Sequence, residues 1–119
     1  MQAMMAKETG AAGEYYADAH LRIDFQGRRA ILDARPLELT NKEFDLLAFL
    51  ASHPGMIVSS TALLTHVWGY STEVRTRTLD VHLSRVRKTL GPYGDHYLER
   101  VFRMGCRFQP FVENLPLTA

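Results

Sequence analysis

Residues 75–88 read RTRTLDVHLSRVRK and hold five of the chain's fourteen Lys and Arg side chains. An arginine guanidinium can donate a parallel pair of hydrogen bonds to the O6 and N7 edge of guanine, a serine hydroxyl can donate or accept, and a valine can touch the methyl group of thymine. Arg77, Val81, Ser84, Arg85 and Lys88 together offer that mixture. Cations beside them can hold phosphates, which fixes position without reading sequence. The chemistry on offer is recognition of a polyanion rather than bond making.

Arrangements for catalysis are missing from the same stretch and from the rest of the chain. Ser84 precedes Arg85 without the glycines of a nucleophile elbow, and no Gly-rich phosphate loop follows a strand. Asp80 and His82 stand two apart on a helix and point to different sides. No enzymatic activity is expected. The five histidines, His20, His53, His66, His82 and His96, include no pair at short ligand spacing with a third partner nearby, so no metal site and no cofactor are expected. Cys106 is the single cysteine, which excludes an internal disulfide, and its place between apolar residues suits a small packed side chain.

The cationic residues need an element to carry them. At about 100° per residue, Leu79, Leu83, Val86 and Leu90 fall within a band of roughly 60°, so residues 75–90 form a helix that docks by this seam. Arg77, Val81, Ser84, Arg85 and Lys88 then collect on the opposite side, with Asp80 and Arg87 on one flank. Within residues 75–90 five basic side chains face one acidic one, whereas residues 1–60 carry six basic and eight acidic. That asymmetry, hidden in a net charge of +1, points one surface at a polyanion.

The surrounding chain supplies a scaffold. Its 119 residues, 46% hydrophobic and 23% charged, suit one globular domain. The longest apolar run, residues 46–51, is far short of a membrane span. Residues 1–14 read as a leader or linker remnant, 15–109 as the domain and 110–119 as a tail. MQAMMAKETG lacks the basic start, apolar block and cleavage site of a secretory signal, which makes the cytoplasm the expected location. Alternation at Leu21/Ile23/Phe25, Ala30/Leu32 and Leu37/Leu39 predicts an antiparallel meander. TNKE at 40–43 is a capping box opening a helix that is apolar almost all round and hence central. MIV at 56–58 reads as an extended link, Ser59 or Ser60 caps a second helix ending at Gly69, and GPYG closes the third. HYLERVF and CRFQPF, flanking RMG, form a terminal hairpin. Trp68 reads as a core plug.

These residues carry a likeness. LELTNKEFDLLAFLASHPGMIVS, VWGY, RTLDVHLSRVRKTL and RVFRMGCRF, taken together, resemble the winged-helix DNA-binding domains of OmpR/PhoB-type response regulators over about residues 15–109. The resemblance implies an α+β winged helix-turn-helix with an N-terminal antiparallel four-stranded sheet, three helices and a C-terminal β-hairpin wing. It implies a cytoplasmic bacterial transcription regulator of a two-component system that binds specific double-stranded DNA, as a homodimer on its site, with the third helix in the major groove. By position, Val81 and Arg85 face bases, while Arg75, Arg77, His82, Ser84, Arg87 and Lys88 lie on or near the backbone. The wing contributes Arg100, Arg103, Met104 and Arg107 next to the minor groove. The loop Gly69, Tyr70, Ser71, Thr72, Glu73 and Val74 faces RNA polymerase.

Two departures stand out. Wings of this family usually end VRG.GY.F, whereas this chain has VFRMGCRF: Phe102 replaces the Arg, Arg103 the first Gly and Cys106 the Tyr. STAL replaces the common SREEL at the second helix. Nothing in residues 1–14 resembles the receiver domain that normally precedes this module, which favours an excised effector domain over a protein acting without phosphorylation. The alternative functions are a winged helix that binds an acidic protein and a non-specific DNA binder. The discriminating residue is Arg85.

Overall fold

A computed structural model describes residues 14–69 and 76–111. Strands β1 (Tyr15–Ala17), β2 (Leu21–Asp24), β3 (Arg29–Leu32) and β4 (Arg35–Pro36) form an antiparallel sheet in chain order. Leu21, Ile23, Ala30 and Leu32 point into the core, as their alternation requires. Asp33 and Ala34 make the two-residue turn between β3 and β4, with φ of 49° and 70°; left-handed values at both central residues match the twist of the flanking strands. The meander ends sooner than its alternation suggests. After Pro36 the Leu37 N–H bonds the Ala30 carbonyl at 2.8 Å, and the chain leaves for the first helix with Leu37 and Leu39 half-buried.

Helix α1 (Asn41–Ala51) starts at the capping box: Thr40 Oγ1 accepts from the Glu43 N–H at 3.2 Å, and Glu43 Oε1 from the Thr40 N–H at 3.1 Å. Phe44, Leu46, Leu47, Leu50 and Ala51 are all buried, so this helix is the centre of the core. Strand β5 (Ile57–Val58) leads to α2 (Ser60–Trp68), capped by the Ser59 hydroxyl. Lys42 Nζ donates to the Val67 carbonyl at 2.8 Å, which places a cation on the negative end of α2. Helix α3 (Thr76–Thr89) lies against α1 and α2. A 3₁₀ turn at Gly91–Tyr93 and a short helix, α4 (Gly94–Tyr97), follow where the sequence reads only as a closing turn. Gly94 is pressed against α3 so closely that an added Cβ would stand 2.2 Å from the Arg87 carbonyl oxygen.

The terminal hairpin is β6 (Leu98–Val101) and β7 (Gly105–Phe108). The segment read as a link is in fact its third strand: β5 pairs with β7, Ile57 opposite Arg107 and Val58 opposite Cys106. Gly105, at φ 144°, passes so near β5 that a Cβ would meet the Val58 oxygen at 2.0 Å. At the sheet's other end one carboxylate ties three parts of the chain together. Asp18 Oδ1 accepts from the Leu21 N–H at 2.9 Å and the Tyr97 hydroxyl at 2.7 Å, and Oδ2 from the Phe111 N–H at 3.0 Å and the Tyr16 hydroxyl. Burial works to raise the Asp18 pKa, but bonds from Tyr16, Leu21, Phe111 and Tyr97 outweigh it and hold the group below the usual carboxylate value. The Phe111 ring packs edge-on against His20 and Tyr93.

Candidate nucleic-acid interface

The two sides of α3 are sharply divided. Leu79, Leu83, Val86 and Leu90 are 0–2% exposed and form the docking seam against the core. Arg77, Asp80, Val81, Ser84, Arg85 and Lys88 face water, Val81 with 38% of its surface exposed. An apolar seam of this depth fixes the helix's rotation, so the outward side chains are presented in one orientation.

Not every cation on the helix is available. Arg87 Nη2 donates to Asp95 Oδ1 at 2.7 Å, across to α4, and is half-buried. The His82 ring meets the Thr78 carbonyl at 2.9 Å and stands edge-on to Trp68 with centroids 5.0 Å apart. Trp68 packs partly buried against the core. The fully outward set is therefore Arg77, Val81, Ser84, Arg85 and Lys88. Arg75 and Tyr70–Val74 lie outside the described residues. Gly69, at φ 83°, donates to the Thr65 carbonyl at 2.9 Å and turns the chain out of α2.

The hairpin is fastened to this helix. Arg100 Nε donates to Asp80 Oδ1 at 3.0 Å, and its Nη1 reaches the Ser60 hydroxyl at 3.2 Å and the Gly105 carbonyl at 3.1 Å. Asp80, the single acid among the cations of α3, thus faces a guanidinium rather than a vacant surface. Arg107 bonds Glu99 Oε1 across the strands at 3.0 and 2.5 Å. Cys106 is fully buried, and burial raises its thiol pKa despite the nearby Arg100 charge, which keeps it an unreactive packing group. The turn itself stands clear: Phe102 is 81% exposed and Met104 57%, with the Arg103 guanidinium 5.2 Å from the Phe102 ring centroid. Arg103 adopts φ 64°, and among the described residues no carboxylate pairs with it.

Sequence reasoning singled out the outward residues of α3 but gave no role to Asp80 as an anchor or to Phe102. The signal for Asp80 is a lone acid within a basic stretch; for Phe102 it is an aromatic between two strand-forming segments, next to residues of a turn. Among the described residues no cluster of His, Cys, Asp and Glu suits a metal ion, and no helix is long and apolar enough to cross a membrane.

Residues 34–108 match the family model described as transcriptional regulatory protein, C terminal. The chain is 42% identical over 89 residues to the phosphate regulon transcriptional regulatory protein PhoB of Escherichia coli (strain K12), covering 74% of this chain and 39% of PhoB. It is 37% identical over 84 residues to response regulator ArlR of Staphylococcus saprophyticus, covering 70% and 38%. The chain therefore spans well under half the length of these relatives. Among solved structures, the DNA-binding domain of RstA from Klebsiella pneumoniae in complex with RstA box is similar with a TM-score of 0.72 and 30% identity, over 82% of this chain and 98% of that one. The DNA binding domain of CpxR from E. coli is similar with a TM-score of 0.73 and 27% identity, over the same shares.

Proposed function

Since the chain belongs to the family of transcriptional regulatory protein C-terminal domains, as an OmpR/PhoB-type winged-helix effector module, we propose that it binds a specific double-stranded DNA sequence in two-component transcription regulation. The observation that carries this reading is the outward face of α3, where Arg77, Val81, Ser84, Arg85 and Lys88 stand in water opposite a fully buried seam. The helix lies in the major groove, which admits an α-helix and displays a distinct edge for each base pair. Arg85 donates to a guanine edge and Val81 covers a thymine methyl. Arg77, Ser84 and Lys88 hold phosphates, joined by Arg75 and by His82 and Arg87, the last two of which also serve the packing of the helix.

Only 39% of PhoB and 38% of ArlR is matched, so a receiver domain and its phosphorylation belong to the proposal for the whole protein. A homodimer on DNA, contact of Gly69–Val74 with RNA polymerase and a cytoplasmic location belong to it likewise. In the wing, Arg100 and Arg107 brace the hairpin while Arg103 and Met104 stand at its tip beside the duplex.

Selection of binding sites from a random duplex pool, at about 50 and 200 mM salt, tests the reading, because phosphate-driven affinity falls steeply over that range. One motif recovered at both salts is the expected result. Arg85→Ala is expected to remove about 1–3 kcal/mol of discrimination at one base pair. Enrichment without a motif, vanishing at the higher salt, refutes base reading by Val81 and Arg85.

A further inference from the structure

The wing turn is built against the rule that governs the rest of its hairpin. Leu98, Cys106 and Phe108 are fully buried, yet Phe102 and Met104, both mostly exposed, project from the tip on either side of Arg103. Arg103 holds a left-handed backbone, a conformation that favours glycine, so the tip retains a cation at a position where its backbone costs stability. The tip is also held in place: Arg100 joins β6 to Asp80 on the flank of the α3 face, and Gly105 lets β7 press against β5. Two apolar side chains with a cation between them make too small a patch for a protein interface, which needs on the order of 800 Å² per partner. They match another occupant, the gap between two stacked base pairs. Apolar side chains entering from the minor groove, accompanied by Arg or Lys, unstack a base step and bend the duplex toward the major groove.

We propose that Phe102, backed by Met104, wedges between adjacent base pairs in the minor groove beside the major groove that α3 occupies, with Arg103 drawn to the negative potential of that minor groove. The inference rests on the major-groove reading above and adds a second specificity determinant to it. The wedge reads deformability rather than base edges, so the step it enters is a TA or CA/TG step, the kinds that kink and unstack most easily. The duplex bends by roughly 20–90°.

The test uses the 119-residue chain and the duplex recovered from the random pool, with each adenine in turn replaced by 2-aminopurine, which brightens when unstacked. Every TA or CA/TG step carries an adenine on at least one strand, so each candidate step is probed. Brightening at a single step flanking the α3 half-site is expected. Phe102→Ala is expected to abolish the brightening, lower the bend measured by energy transfer between the duplex ends, and weaken binding about tenfold; Phe102→Leu, which keeps an apolar wedge, retains most of all three. Because the side chain is exposed, both variants fold, which thermal unfolding checks. If a motif is recovered but no adenine brightens and Phe102→Ala leaves the bend unchanged, the wedge is overturned while the major-groove reading stands. If no motif is recovered, both fall together.

Discussion

Two hairpins of this molecule share a device and use it in opposite senses. In the turn between β2 and β3, Arg28 adopts φ 57° and lays its guanidinium 4.8 Å from the ring centroid of Phe44; in the wing, Arg103 adopts φ 64° and stands 5.2 Å from that of Phe102. Phe44 is buried in the core, however, and Arg28 continues onto it, donating to Asp45 Oδ1 at 2.7 Å and to the Asn41 carbonyl at 3.2 Å. Phe102 is in water. The same backbone strain and the same cation–ring contact fold one turn back onto its own protein and leave the other extended toward a partner. What separates them is where the ring sits: Phe44 lies on the buried face of α1, whereas Phe102 belongs to the turn itself and stands in water.

The sharpest way to break this contrast is to remove the two rings. Phe44→Ala empties a core position and is expected to cost about 3–5 kcal/mol in denaturant unfolding. Phe102→Ala is expected to stay within about 0.5 kcal/mol of the parent, as for a surface change away from packing; a large loss there would mean that the wing tip is structural after all.

Acid offers a second way, because the carboxylate clasp lies in the scaffold and the wing turn, Phe102–Met104, holds no carboxylate. The Asp18 pKa is depressed in the folded chain, so the clasp contributes stability above the ordinary carboxylate value, and that contribution is lost as pH falls through the lower folded value. Asp33, held low by hydrogen bonds from His20 and Tyr93, acts in the same direction. Stability is therefore expected to fall below about pH 4. Asp18→Asn is expected to flatten part of that fall and to cost about 1–2 kcal/mol near neutrality, moderate because the group is only half-buried. An unchanged acid profile in Asp18→Asn would remove the clasp from the account.

The finest comparison exchanges each turn arginine for glycine. Arg28→Gly relaxes the backbone but forfeits Asp45, Asn41 and Phe44, for a net loss of about 1 kcal/mol. Arg103→Gly relaxes the backbone with little to forfeit and is expected to raise stability by about 0.5 kcal/mol. The same variant should reduce the slope of log affinity against log salt by about 0.9, the share of one phosphate charge. Equal stability changes in the two variants would erase the distinction between the hairpins.

Local patterns were legible in the sequence. The seam of α3, the capping box at Thr40 and Glu43, and the alternation through Leu21 and Ile23 each follow from a period or a spacing within a few residues, and the structure bears them out. Pairings between distant residues were not. Ile57–Val58 is too short to announce itself as a strand, and only β7 makes it one. Asp18 meets Tyr97 and Phe111 across 79 and 93 residues, and no local rule joins them. For the interface, periodicity identified the outward residues of α3, but it could not say that Arg87 is held by Asp95 or that Arg100 is held by Asp80. Charge counts treat every cation as equal; ion pairing across elements decides which remain for a partner.

The link from Arg100 to Asp80 also bears on how portable this helix is. Transplanting the outward residues of α3 onto another winged helix would bring Asp80 with them but leave its guanidinium behind, stranding a negative charge beside the phosphates. A graft that carries β6 as well would move reader and brace together. The smallest unit that can be exchanged between such proteins without loss is thus a helix and a strand, with the 3₁₀ turn and α4 between them, moved as one piece.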